Sequence, residues 1–113
     1  APISGKVVKI KHCKGRRLRI GNVKFEFLNE RNIIVLEHRD GFRVAVVQIA
    51  ALIVGRIDCY VKEGMTVKLG QRIGKVKFGS QVDLVIPNLP GIKFMKMLGE
   101  KLLAGETIIA EYG

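Results

Sequence analysis

Val61-Lys-Glu-Gly64-Met-Thr-Val67-Lys-Leu-Gly70, running on into Gln71-Arg-Ile73, sets two glycines six residues apart, with an apolar residue three positions after each. The pattern returns 35 residues later in Met97-Leu-Gly99-Glu-Lys-Leu102-Leu-Ala-Gly105, followed by Glu106-Thr-Ile108. A weaker copy is Lys14-Gly15-Arg-Arg-Leu18-Arg-Ile-Gly21. Glycines so placed suit turns at positive φ, where a Cβ would clash. The apolar residues between them suit plugs of a core. Pro2…Gly5-Lys-Val7 and Pro87…Gly91-Ile92 each open a similar segment.

Outward from this repeat the chain reads as short Val-, Ile- and Leu-rich runs punctuated by thirteen glycines, with almost no helical period. Strands are expected over 6–11, 17–20, 24–27, 32–37, 43–49, 55–60, 72–76, 83–86 and 107–111, with a hairpin turn at Asp40-Gly41. One short helical turn is expected near 101–103. The fold class is therefore all-β. The two glycine-punctuated repeats, taken as related by an approximate two-fold, resemble the barrel-sandwich hybrid of lipoyl and biotinyl carriers. The 113 residues are read as a single domain.

Apolar residues make up 48% and charged residues 27%, a globular composition that can bury a core without disulfides or metal. Twenty Lys and Arg against ten Asp and Glu leave a net charge of +10, more than folding requires, which points to an anionic partner. The excess is concentrated in Lys6, Lys9, Lys11, Lys14, Arg16, Arg17, Arg19 and Lys24, a segment with no acid in it. On a strand Lys9 and Lys11 share one face, and Arg17 and Arg19 another. Such a patch suits anionic lipid headgroups. Sparse aromatics and the lack of any RNP-like, KH or zinc-finger motif argue against nucleic acid.

The longest apolar run, 44–54, is broken by Gln48 and is about half the length of a spanning helix. Cys13 and Cys59 form no CxxC pair, and no His/Cys cluster has metal spacing, so free thiols and no metal site are expected. Cys59 lies in an apolar run and should be buried; Cys13 lies among lysines and should be more exposed. His12 has no acid close in sequence to orient it, and His38, beside the turn, should be wet. No Ser-His-Asp constellation can be assembled.

The chemistry-bearing stretch is Val76-Lys77-Phe78-Gly79-Ser80-Gln81-Val82-Asp83-Leu84-Val85-Ile86-Pro87. By itself Gly79-Ser80 is a turn between two strand-like runs. With its flanks it resembles the self-cleavage site of pyruvoyl-dependent phosphatidylserine decarboxylases, where Phe-Gly-Ser precedes an apolar strand ending in Pro. Ala1-Pro-Ile-Ser-Gly5-Lys-Val7, Asn29-Glu-Arg-Asn32, Val44-Ala-Val-Val-Gln48-Ile-Ala50 and Arg56-Ile-Asp-Cys59-Tyr60-Val61 resemble further blocks of the short bacterial and archaeal form, in that family's order.

The resemblance implies that Ser80 attacks the carbonyl of Gly79. Elimination and hydrolysis then leave a pyruvoyl group at a new N-terminus, with 1–79 as the β chain and 80–113 as the α chain. The resulting ketone is an electron sink that no standard side chain offers, and it serves conversion of phosphatidylserine to phosphatidylethanolamine and CO2. The implied partners are phosphatidylserine, an anionic membrane surface, and an upstream segment of the same proenzyme. That segment carries the Asp and His the family uses for processing, for which this stretch has no counterpart. The 113 residues alone are accordingly expected to keep Gly79-Ser80 intact and to be inactive. Gln81 stands where a basic residue is common in the family, and Val54-Gly55 where Arg is frequent. The expected location is cytoplasmic, peripheral on the inner face of the cell membrane; oligomerisation is left open.

Two other readings compete. Met95-Lys96-Met97 matches a biotinylation site, but a carrier needs its lysine at a hairpin tip between the repeats, whereas Lys96 runs straight into the second. A non-catalytic basic β-module binding anionic lipid or nucleic acid would explain the charge, though not the Phe-Gly-Ser block.

Overall fold

The computed structural model describes residues 1–15, 29–50, 57–76, 80–95 and 110–111. Among these the regular elements are all strands: β1 (Gly5–Cys13), β2 (Arg31–Glu37), β3 (Arg43–Ile49), β4 (Ile57–Cys59), β5 (Thr66–Val67), β6 (Gly74–Val76), β7 (Gln81–Val85), β8 (Lys93–Phe94) and β9 (Ala110–Glu111). The all-β expectation holds. Those for 17–20, 24–27, the helical turn at 101–103 and the second repeat at 97–108 lie outside the described residues, as does Lys96.

A five-stranded antiparallel sheet runs in the order β5-β1-β2-β3-β7, and β4 pairs β6 in a separate two-stranded sheet. Alternation builds it. Ile34 and Leu36 on β2, Val44 and Val46 on β3, and Val7 on β1 face one buried side and form the core with Val61 and Val67. The β2–β3 hairpin closes through Asp40-Gly41: His38 N–H donates to Phe42 O at 2.9 Å, Gly41 N–H to His38 O at 2.8 Å, and Gly41 sits at φ +94°.

The described repeat behaves as its spacing requires. Gly64 and Gly70 adopt φ +93° and +83°, and Val67 between them is buried. The turn they form carries β5 and locks onto β1, with Gly64 N–H donating to Val7 O at 2.7 Å and Val7 N–H to Met65 O at 2.8 Å. Gly5 is a glycine for want of space: a Cβ there would lie 2.3 Å from the Glu37 carbonyl oxygen.

Two expectations are corrected. Cys59 is exposed and Cys13 only partly so, because β4 belongs to the small two-stranded sheet rather than the main one; both thiols are free. His38 is mostly covered, its ring stacked on Phe42 with centroids 4.7 Å apart. His12, without an acid close in sequence, meets one through the fold: Glu30 Oε2 lies 2.8 Å from its Nε2, brought there by the pairing of β1 with β2.

Candidate active site

Ser80 stands where the chain leaves the β4–β6 hairpin for the main sheet, directly before β7. Gly79 lies outside the described residues, with Arg16, Arg17, Arg19 and Lys24. Ile49 pairs Gln81, so Ser80 enters beside Ala50. Ala50 is turned toward β2 instead. Its N–H donates to Glu30 O at 3.0 Å, and its carbonyl accepts from Asn29 Nδ2 at 2.7 Å. Antiparallel strands alternate the side to which each residue offers its amide. The β3–β7 ladder therefore closes at Gln81 and leaves the Ser80 peptide outside it.

The Ser80 hydroxyl oxygen is enclosed and has no hydrogen-bond partner. Folded proteins rarely tolerate this, since an unsatisfied buried hydroxyl costs about 1–3 kcal/mol. Here it leaves an uncommitted nucleophile directly before β7, one residue beyond the end of the β3–β7 ladder. Neither described histidine reaches it. His12 is on β1, three strand spacings from β7, roughly 14 Å along the sheet at about 4.8 Å per spacing. His38 is at the hairpin end, about seven residues or roughly 23 Å along β3 from Ala50.

Three buried amides cluster at this end of the sheet. Asn29 caps Ala50 as above. Asn32 Nδ2 donates to Gln48 Oε1 at 2.9 Å, and Gln48 Nε2 donates to Asp58 O on β4 at 3.1 Å. Asn32 and Gln48 continue the buried phase of Ile34-Leu36 and Val44-Val46. A polar residue on an apolar phase is a signal that the sequence carried and our reading of it did not use.

Residues 1–110 match the family model described as phosphatidylserine decarboxylase. The chain is 39% identical over 112 residues to a phosphatidylserine decarboxylase proenzyme of Pelobacter propionicus, covering 99% of this chain and 50% of the relative. It is 41% identical over 109 residues to the proenzyme of Geobacter sp. strain M21, covering 96% and 49%. The chain belongs to the phosphatidylserine decarboxylase family. It spans about half the length of the curated relatives it matches. No solved structure matches it.

Two basic features accompany the site in this family member. An open pocket lined by Tyr60, Arg72, Gly74 and Lys75 lies on the hairpin that leads into Ser80. On β1, Lys6, Lys9 and Lys11 are exposed and stand opposite Glu37, Val35 and Ile33. Those three partners alternate along β2 and so share its non-core face. A bulge between Val7 and Lys9 shifts the register by one residue and brings Lys6 to the face of Lys9 and Lys11, while Val7 stays in the core. Lys14, just past the strand, is exposed as well. Among the described residues no helix is long and apolar enough to cross a membrane, and no cluster of His, Cys, Asp or Glu could hold a metal ion.

Proposed function

We propose that the protein is a phosphatidylserine decarboxylase made as a proenzyme, with Ser80 as precursor of its pyruvoyl group. The observation that carries this reading is the enclosed, unpartnered Ser80 hydroxyl, placed where the peptide chain has left the sheet ladder. Ser80 Oγ attacks the Gly79 carbonyl carbon, the C–N bond breaks, and the hydroxyl proton ends on the Ser80 amine. Loss of the Ser80 Cα proton then expels the Gly79 carboxylate from Cβ and leaves dehydroalanine. Water converts that to the pyruvoyl group and ammonia. A pyruvoyl ketone supplies the electron sink for loss of the substrate carboxylate.

The hydroxyl proton needs a base, worth about 10²–10⁴-fold in such steps. His12 and His38 are both too far to serve, which supports the reading that an upstream proenzyme segment supplies it. Arg72 and Lys75 are the cations best placed to meet the phosphodiester of phosphatidylserine. Lys6, Lys9, Lys11 and Lys14 form the described part of a patch for the anionic membrane surface, continued in sequence by Arg16, Arg17, Arg19 and Lys24. This fits a cytoplasmic protein held peripherally on the inner face of the cell membrane. The positive φ of Gly64 and Gly70 around buried Val67 supports reading 61–73 as one of two pseudo-symmetric barrel-sandwich repeats.

The test is an intact mass of the full-length gene product. The expected result is two chains, split between Gly79 and Ser80, the second opening in a carbonyl that phenylhydrazine derivatises. Phosphatidylserine vesicles should release CO2 with that product and not with its Ser80→Ala variant. A single uncleaved chain with full activity, or an active Ser80→Ala variant, would overturn the reading.

A further inference from the structure

The Gly79-Ser80 step is strung between two sheets: β6 ends the small sheet at Val76, and β7 begins in the main sheet at Gln81. With only residues 77–80 between them in sequence, the relative position of the sheets sets the distance from Val76 to Gln81 that those residues bridge. One side chain fastens the sheets at this level. Gln48, buried on β3, takes a hydrogen bond from Asn32 on its own sheet and gives one to the Asp58 carbonyl on β4. It reaches that carbonyl across the space where a side chain at position 74 would start. A Cβ on Gly74 would lie 2.4 Å from Gln48 Nε2 and 2.6 Å from Asp58 O. Gln48 also pairs Val82 across β3 and β7, two residues after Ser80.

A tie between two sheets could be made with apolar side chains at less desolvation cost. An amide sets a fixed point instead, because its two bonds hold only at one separation. Resting on the self-processing read above for Ser80, we propose that Gln48 is a positioning residue for that reaction, with Gly74 as the void that admits it. Its amide sets the span from Val76 to Ser80 that the chain carrying the scissile peptide must bridge, and so the approach of the Ser80 hydroxyl to the neighbouring carbonyl carbon. A misplacement of about 1 Å can cost about 100-fold in rate.

The experiment follows cleavage of freshly translated full-length precursor on a gel, with near-ultraviolet circular dichroism confirming the fold. Hydroxylamine is added to cut any accumulated ester. Gln48→Met keeps length and loses both hydrogen bonds. The expected result is a folded variant whose first-order cleavage is at least 10-fold slower, with no rise in hydroxylamine-sensitive ester, because formation of the ester is the step impaired. Cleavage within twofold of the wild type in a folded variant overturns the proposal. So does slow cleavage with ester accumulating, which places the defect in elimination. Should the methionine variant not fold, Gln48→Glu keeps the shape and the acceptor for Asn32 while its ionised form loses the donor to Asp58 O, and the same thresholds apply. A wild-type precursor that never cuts between Gly79 and Ser80 overturns the reading of Ser80 itself, separately from the role of Gln48.

Discussion

Gly5→Ala tests whether close approach, rather than backbone freedom, dictates a glycine in this fold. The methyl would lie 2.3 Å from the Glu37 carbonyl oxygen and 2.9 Å from its carbon, where ordinary contact begins at 3.4 Å. Both atoms are backbone, in the terminal β1–β2 pair where Lys6 stands opposite Glu37. They can withdraw by about 1 Å only if that pair opens. Overpacking of this kind costs about 1–3 kcal/mol, and a lost ladder bond adds about 1 kcal/mol. Against this, alanine restricts the unfolded chain and returns about 0.4–1 kcal/mol. The net expectation is a loss of about 2 kcal/mol. Urea unfolding followed by circular dichroism reads it. With a slope of about 1–3 kcal/mol/M the midpoint should fall by roughly 1 M and the slope should stay unchanged. A midpoint equal to or above that of the wild type would show that the β1–β2 pair yields freely and that the steric argument fails.

Gly64→Ala meets open space but keeps φ +93°, so it should lose about 1–2 kcal/mol, and Gly64→Asn should recover part of that in the same unfolding assay. Two thiols should titrate in unfolded, unreduced protein; in the native protein Cys59 should react with a thiol reagent faster than Cys13, reversing the order read from their neighbours in sequence. Lys9→Ala with Lys11→Ala should weaken binding to anionic vesicles by roughly 30-fold at about 1 kcal/mol per lysine, and hardly alter binding to zwitterionic ones. If the Arg72 pocket meets the phosphodiester as proposed, Arg72→Ala in the full-length product should raise KM for phosphatidylserine with little change in kcat.

Much of the main sheet could be read from the sequence because its signals are local. Asn32 to Glu37 and Arg43 to Ile49 alternate around a short turn with Asp40-Gly41, and alternation and turn chemistry act over a few residues. Gly64 and Gly70 were legible for the same reason. What escaped depends on register. Three lysines at 6, 9 and 11 do not share a period of two; only the bulge aligns them, and it is visible only against β2. Glu30 is 18 residues from His12 and meets it through strand pairing. Cys59 carries an apolar neighbourhood in sequence but sits in a sheet too small to bury it. Of the candidate site, Ser80 was legible by resemblance. Its enclosed hydroxyl has no local signature, and the Asn32–Gln48–Asp58 tie arises from the meeting of two sheets.

The position of Ser80 also orders folding and chemistry. An acyl shift from nitrogen to oxygen requires the peptide nitrogen to lose its planarity and then to leave the carbonyl, and a nitrogen whose N–H is bonded within a ladder resists both. Ala50, engaged by Glu30 and Asn29, ends the ladder one residue short of the serine. The hydroxyl has no partner, and the two described histidines lie three strand spacings or most of a strand length away. On the proposed chemistry, the sheet must form first, since the end of the β3–β7 ladder sets where Ser80 stands. The base must then come to that finished surface. A proenzyme working by that proposed chemistry would cut itself after folding and not during synthesis, with the unpartnered Ser80 hydroxyl as the state in which it waits.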